Sequence, residues 1–263
     1  MTADRSITTE LATNDLHHIW IRGIDLADEI MGKRSFAEVV FLLLVGRLPE
    51  PAEAEMTDAI LVSLMEHGLT PSAIVARMTY SVAPEALQGA VSAGLLGAGS
   101  LVLGSMEECG RLLSDLTEEV NSGASVDAAI DRKVADYRAN RRKLPGFGHI
   151  IHKEGDPRAK RLLELAKERG LAEEQIDLLE RLADSARKPD GAALPLNVTG
   201  AVAAILLGFG VPWRLHRGFA LISRTAGLVA HIDEEMSAPI SSSLRRIVRE
   251  GATNPPSAGG SDK

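Results

Sequence analysis

Apolar residues recur at helical spacing through nearly the whole of this 263-residue chain, and glycine closes one such segment after another. Gly68, Gly123, Gly170 and Gly210 stand where these segments need a stop, while alternating β-branched runs are almost absent. The start signals agree with the stops. Ser35-Phe36-Ala37-Glu38 reads as a capping box, its hydroxyl and carboxylate each satisfying an orphan amide, and the apolar run Val39 to Val45 ends at Gly46. The spacing predicts further helices at about 51–66, 71–82, 85–103, 105–121, 125–142, 157–169, 172–187, 194–208 and 212–235. The expected fold class is all-α.

With 45% hydrophobic residues the chain can bury a substantial core, and neither a fixed-period repeat nor a long linker forces a boundary. Residues 1–235 therefore read as one helical domain whose lobes the sequence does not divide. From Met236 the composition shifts to Ser, Pro and Gly, so 236–263 reads as a C-terminal extension whose last dozen residues are too poor in apolar surface to order. Residues 89–105 carry no charge but hold five Gly and three Ser, a pattern of close packing in a buried helix rather than of a membrane span. A net charge of −7 and few clustered cations disfavour a nucleic-acid partner. The start, MTADRSITTELATND, lacks the apolar core of a signal peptide, and the lone Cys109 allows no intramolecular disulfide, so a cytoplasmic protein is expected. Cys109 itself is expected to be buried packing.

The run from Leu144 to Ala159, LPGFGHIIHKEGDPRA, carries the densest functional signal. Pro145, Gly146 and Gly148 make a backbone poor in side chains around Phe147 and just before His149, which suits close approach of a ligand to main-chain amides. Asp156 is an N-cap type and Pro157 an N1 type, so Arg158 falls in the first turn of a helix. Glycine amides, an imidazole suited to proton transfer and a guanidinium suited to carboxylates thus all lie between Gly146 and Arg158. That is the pattern of a site for an anionic substrate. Arg141, Arg142 and Lys143 just upstream either complement a helix C-terminus or steer an anion into the loop. His152 has no third ligand at metal spacing, so no metal is called for. His67 reads either as a C-terminal cap or as a ligand group, and Arg224, in an apolar helix, either snorkels or pairs with an anionic ligand.

These segments resemble the citrate synthase superfamily. PGFGH…DPRA is similar to its signature, and RGIDLADEIMGKRSFAEVVFLLLVGRLPE to its N-terminal segment. Met65 to Arg77 resembles the family's histidine-bearing substrate helix, Leu196-Asn197-Val198-Thr199-Gly200 its catalytic turn, and Ser223 to His231 its ARxxGxxAH helix. The five blocks follow in order over about residues 15 to 235, on a chain nearer in length to the citrate-synthase-like module of ATP-citrate lyase and to free-standing citryl-CoA lyases.

The resemblance implies a shortened citrate-synthase-like helical fold, a homodimer, a CoA thioester as substrate with no permanently bound cofactor, and a di- or tricarboxylic acid as the other ligand. It implies that His149 contacts the carbonyl or hydroxyl oxygen of the acid, that His67, Arg158 and Arg224 hold carboxylates, and that Gly146, Phe147 and Gly148 line the CoA site. Two positions depart from the family. Its catalytic aspartate falls at Thr199, and its GPLHGG histidine falls near Leu103 in the stretch Gly99 to Ser105. A threonine hydroxyl is no base near neutral pH, which argues against an ordinary synthase and toward a lyase cleaving citryl-CoA or a related 3-hydroxy-3-carboxyacyl-CoA. There His149 is the expected base, and Thr199, water or Asp156 the expected source of the returning proton. A condensing enzyme acting on an unusual 2-oxoacid and a non-catalytic CoA-binding subunit are the alternatives.

Overall fold

A computed structural model describes residues 8–100, 103–148, 151–187, 191–192 and 194–252. Three short strands come first, β1 (Ala12–Asn14), β2 (Ile19–Ile21) and β3 (Ile24–Asp25). The helices are α1 (Phe36–Val45), α2 (Pro51–Met65), α3 (Pro71–Tyr80), α4 (Leu87–Leu96), α5 (Gly104–Asn121) and α6 (Val126–Ala139). They continue with α7 (Pro157–Glu168), α8 (Glu173–Ser185), α9 (Val198–Gly208), α10 (His216–Ser237) and α11 (Ser241–Gly251). Contacts divide the chain into two compact units, Met1–Met65 with Ser100–Ser223, and Glu66–Gly99 with Arg224–Lys263.

The first unit is built around α9. Every residue of α9 from Val198 to Leu206 is buried, as expected of a helix that is apolar or small on all sides. It packs against α5, α7 and α8. The latter two turn amphipathic faces inward, Leu162, Leu163 and Ala166 from α7 and Ile176, Leu179 and Leu182 from α8. The capping box at Ser35 forms as the sequence predicts, with the Glu38 amide donating to Ser35 Oγ and the Ser35 amide to Glu38 Oε2. The all-α expectation needs one addition. β1, β2 and β3 form an antiparallel meander whose strands of two or three residues are too short to show a period of two.

The second unit pairs α3 with α4 and adds the later part of α10 and α11. Ala76, Ala90, Leu228 and Ile232 form its core, and Gly94 lies so close to Ala76 and Leu228 that a Cβ there would come within 2.9 Å of both. The predicted helix 85–103 stops early, at Leu96, where Gly97 closes against the Ser72 backbone. The compositional shift at Met236 does not end the helices, because α10 runs to Ser237 and α11 follows. Most of the expected loose tail, residues 253–263, lies outside the described residues. No helix among the described residues is long and apolar enough to cross a membrane.

Candidate active site

In the first unit the loop of Gly146, Phe147 and Gly148 lies along an extended segment, Leu194–Asn197. The Gly148 amide donates to the Pro195 carbonyl at 2.8 Å and the Asn197 amide to the Gly146 carbonyl at 3.1 Å, with Phe147 and Leu196 paired antiparallel between them. This pairing explains why α9 starts at Val198 rather than at the predicted 194. The Gly148 amide is engaged within the protein and does not point to a ligand. Gly146 and Gly200 make the approach possible. Gly146 has φ +87°, and a Cβ on Gly200 would come within 2.5 Å of the Gly146 carbonyl oxygen. Cys109 packs beneath Gly146, fully buried, and burial pushes its thiol up to about 12, so it is inert filling as expected.

Asn197 ties loop and helix together. As N-cap of α9, its Oδ1 accepts from the Thr199 amide at 3.1 Å, the Gly200 amide at 3.2 Å and the Thr199 hydroxyl at 2.7 Å. Its Nδ2 donates to the Gly148 carbonyl at 2.7 Å. Two amides on Oδ1 fix the side-chain orientation, so the Thr199 proton is directed to Asn197. The Thr199 oxygen is then left to accept from Ser105 Oγ at 3.0 Å. The position at Thr199 is therefore a neutral, part-buried hydroxyl pair. Sequence reasoning missed Asn197 and Ser105. An Asn directly before an apolar helix was signal enough for the first, whereas nothing local marked the second.

Asp156 is the second anchor. Its carboxylate accepts from the Val198 amide at 3.0 Å, the Arg158 amide at 3.0 Å, Arg158 Nε at 3.0 Å and Arg158 Nη2 at 2.9 Å. Burial alone would raise its pKa, but the guanidinium and the two amides more than reverse this and hold it below the usual aspartate range. Asp156 is therefore an ionised anchor, and the expectation that it returns a proton is corrected. Arg158 stands in the first turn of α7 as predicted, with its fork largely engaged by Asp156 and its Nη1 donating to the Ser63 carbonyl at 3.4 Å. His149 lies outside the described residues.

Beside Gly148 is a cavity of about 520 Å³, lined among the described residues by Arg138, Arg142, Lys143 and Lys153 together with Tyr137 and Phe147. Arg142 stacks over the Tyr137 ring, 4.3 Å from its centroid, and pairs with Asp136 at 2.5 Å. The cationic cluster before the loop therefore both closes α6 and faces an open apolar space.

His67 and Arg224 belong to the second unit. His67 lies just past α2, in a turn whose amides are held by a side chain: Glu66 Oε1 accepts from the amides of His67 at 2.7 Å and Gly68 at 2.6 Å. Arg224 is buried on α10, 6% exposed. Arg77, 1% exposed, directs Nε to Glu235 at 2.7 Å, Nη1 to Glu234 at 2.6 Å and Nη2 to the Ala238 carbonyl at 2.7 Å. Burial would raise the Glu235 pKa, but the amides of Ile240 and Ser241 with the Arg77 guanidinium hold it down to about 2. Among the described residues no group of His, Cys, Asp and Glu is gathered as metal ligands would be.

The profile of the family described as citrate synthase, C-terminal domain, matches residues 49–249. The chain is 30% identical over 207 residues to citrate synthase 2 of Bacillus subtilis, covering 76% of this chain and 52% of that protein. It thus spans about half the length of the curated relatives it matches. Among solved structures it is similar to citryl-CoA lyase from Hydrogenobacter thermophilus, with a TM-score of 0.85 and 35% identity over 98% of both chains. It shares its fold with ATP citrate lyase from Methanothrix soehngenii, at a TM-score of 0.79 and 19% identity over 96% of this chain and 42% of that one. The profile spans most of the chain, and the loop, the turn at Asn197 and the two Arg-bearing helices lie inside it, so the chain belongs to the citrate synthase family.

Proposed function

We propose that this protein is a carbon–carbon lyase cleaving citryl-CoA, or a related 3-hydroxy-3-carboxyacyl-CoA, to acetyl-CoA and oxaloacetate or another 2-oxoacid. One observation carries the reading, the likeness to a citryl-CoA lyase along 98% of both chains. The neutral pair of Thr199 and Ser105 supports it, because a site that opens by breaking a C–C bond needs no carboxylate there to remove a carbon-bound proton.

The cavity beside Gly148 suits the nucleotide end of a CoA thioester. Its cations meet phosphates, and Tyr137 and Phe147 offer ring faces. CoA is thus a substrate moiety rather than a bound cofactor. His67, Arg158 and Arg224 hold the carboxylates of the acid, Arg158 through the N–H groups that Asp156 and Ser63 leave over. His149 takes the hydroxyl proton, the carbinol carbon becomes a ketone, and the pair of electrons from the broken C–C bond moves into the thioester as an enolate. The enolate carbon then gains a proton, balancing the one lost by the hydroxyl. Water supplies it directly, or Thr199 relays it and is reprotonated by water. The active form is proposed to be a homodimer.

The test is release of oxaloacetate from citryl-CoA by the purified protein, followed through malate dehydrogenase. Turnover that His149→Ala abolishes supports the reading. CoA binding by calorimetry without any release would make the chain a binding subunit, a reading that the hydroxyl pair at Thr199 also fits. Faster condensation than cleavage would favour the direction named for the curated relatives.

A further inference from the structure

The turn that carries His67 is held from a distant helix. Glu66 Oε1 accepts not only the amides of His67 and Gly68 but also His231 Nε2 on α10, at 3.0 Å. Burial pushes the Glu66 carboxyl up, but the bond from His231 and the two amides more than reverse this, leaving an ionised acceptor. His231 Nε2 must therefore carry the proton of this bond. Its ring is 11% exposed, and its Nδ1 faces Glu234 Oε2 at 3.7 Å, beyond hydrogen-bond range. Glu234 is fixed in turn by Arg77, so the imidazole sits between two placed carboxylates.

Seven positions separate Arg224 from His231, which puts both on one face of α10. A bond from His231 to Glu66 thus ties the backbone of His67 to the helix that bears Arg224. We propose that Glu66 and His231 are positioning residues that hold His67 in register with Arg224, so that both meet the carboxylates of one acid. Neither touches the substrate. The inference rests on the reading of His67 and Arg224 as carboxylate ligands, whereas the backbone link from His231 to the turn stands apart from it.

The test therefore has two readouts. His231→Phe keeps a ring and removes the donor, His231→Ala removes both, and His231→Gln restores an N–H at similar reach. Hydrogen exchange at the amides of His67 and Gly68 reports the turn without reference to activity, and calorimetry with oxaloacetate reports acid binding. The expected result in whichever of the Phe and Ala variants folds is about tenfold faster exchange at both amides and about tenfold weaker oxaloacetate binding, as loss of a charge-assisted hydrogen bond predicts. CoA affinity should stay the same, and Gln should restore both signals. Unchanged exchange in a folded Phe or Ala variant overturns the proposal, as does weaker acid binding that Gln leaves unrestored. If His67→Ala itself leaves oxaloacetate binding unchanged, the functional reading of His67 fails and the registering role with it, while the exchange data still report the backbone link.

Discussion

Asn197 performs two tasks with one side chain, and two substitutions separate them. In Asn197→Ala the cap of α9 is lost, which costs about 1 kcal/mol. The Thr199 hydroxyl loses its acceptor and the Gly148 carbonyl its donor. Gly148 is exposed and water can replace that donor, so the added cost falls at the low end of the range for orphaned groups, about 1–2 kcal/mol. The sum is about 2–3 kcal/mol. Asn197→Asp keeps all three bonds accepted by Oδ1 and adds a charge favoured at a helix N-terminus by about 0.5 kcal/mol. It also sets a carboxylate oxygen against the Gly148 carbonyl and near the ionised Asp156, so its net stability should lie within about 1 kcal/mol of the parent. Both variants free the Gly148 end of the loop, and both should lose CoA affinity and citryl-CoA turnover by about tenfold or more. Urea unfolding followed by Trp213 fluorescence, beside calorimetry with CoA, reads the two tasks independently. If Asp is as destabilising as Ala, or binds CoA and turns over like the parent, the link from Asn197 to Gly148 does not hold the site.

Arg77→Met leaves Glu235, 4% exposed, without its cation, and should cost about 3–5 kcal/mol in urea unfolding; a loss below about 1 kcal/mol would refute the clamp. Burial lowers the His216 pKa from 6.5 to about 4, so the native ring is neutral where the unfolded one is protonated. Its contribution is complete above about pH 6.5 and is lost as pH falls toward 4, so the parent should lose about 2 kcal/mol more between pH 7.5 and 5 than His216→Leu. Gly200→Ala puts a methyl within 2.5 Å of the Gly146 carbonyl oxygen, where only backbone can yield, and should cost about 2–3 kcal/mol together with CoA affinity. Thr199→Asp places a base at the head of α9 and should speed exchange of the acetyl-CoA methyl hydrogens with deuterated water in the presence of oxaloacetate, as mass spectrometry would show. No gain in exchange would mean that the position does not face the substrate.

What the sequence made legible is what acts over short range. The capping box at Ser35 and the Asp156-Pro157-Arg158 start of α7 involve residues two or three apart, and both form as predicted. The helix limits follow for the same reason, except where another segment intervenes. Leu194 to Asn197 has a composition that allows helix, but pairing with the Gly146 loop draws it into an extended strip. Within each unit the bonds that hold the candidate segments run between residues far apart: Asn197 to Gly148 over 49 positions and Ser105 to Thr199 over 94 in the first, Arg77 to Glu235 over 158 and His231 to Glu66 over 165 in the second. No periodicity encodes these partners. Asp156 shows the limit most plainly. Its role as a cap was readable, whereas its unsuitability as an acid depends on the Val198 amide, 42 positions away, together with its bonds to Arg158.

The hydroxyl pair at the head of α9 bears on how a proton reaches or leaves carbon. Protons there are ordered from Ser105 to Thr199 and from Thr199 to Asn197, and the series ends on an amide oxygen already accepting three bonds. Such an oxygen is far too weakly basic to hold a proton taken from carbon. Condensation begins with removal of a methyl proton from acetyl-CoA, a step for which this arrangement offers no base. Cleavage, as proposed, begins at an O–H rather than a C–H, and the enolate it releases is basic enough to be protonated by water. Microscopic reversibility still links the two directions, so the pair does not forbid synthesis; it makes proton return to carbon the step left to solvent. Where that proton transfer is the highest barrier on the path, it limits cleavage and condensation alike. A carboxylate at Thr199 would lower that barrier and so raise kcat/KM for cleavage and for condensation by the same factor, whereas an unchanged rate in both directions would place the highest barrier at the C–C bond.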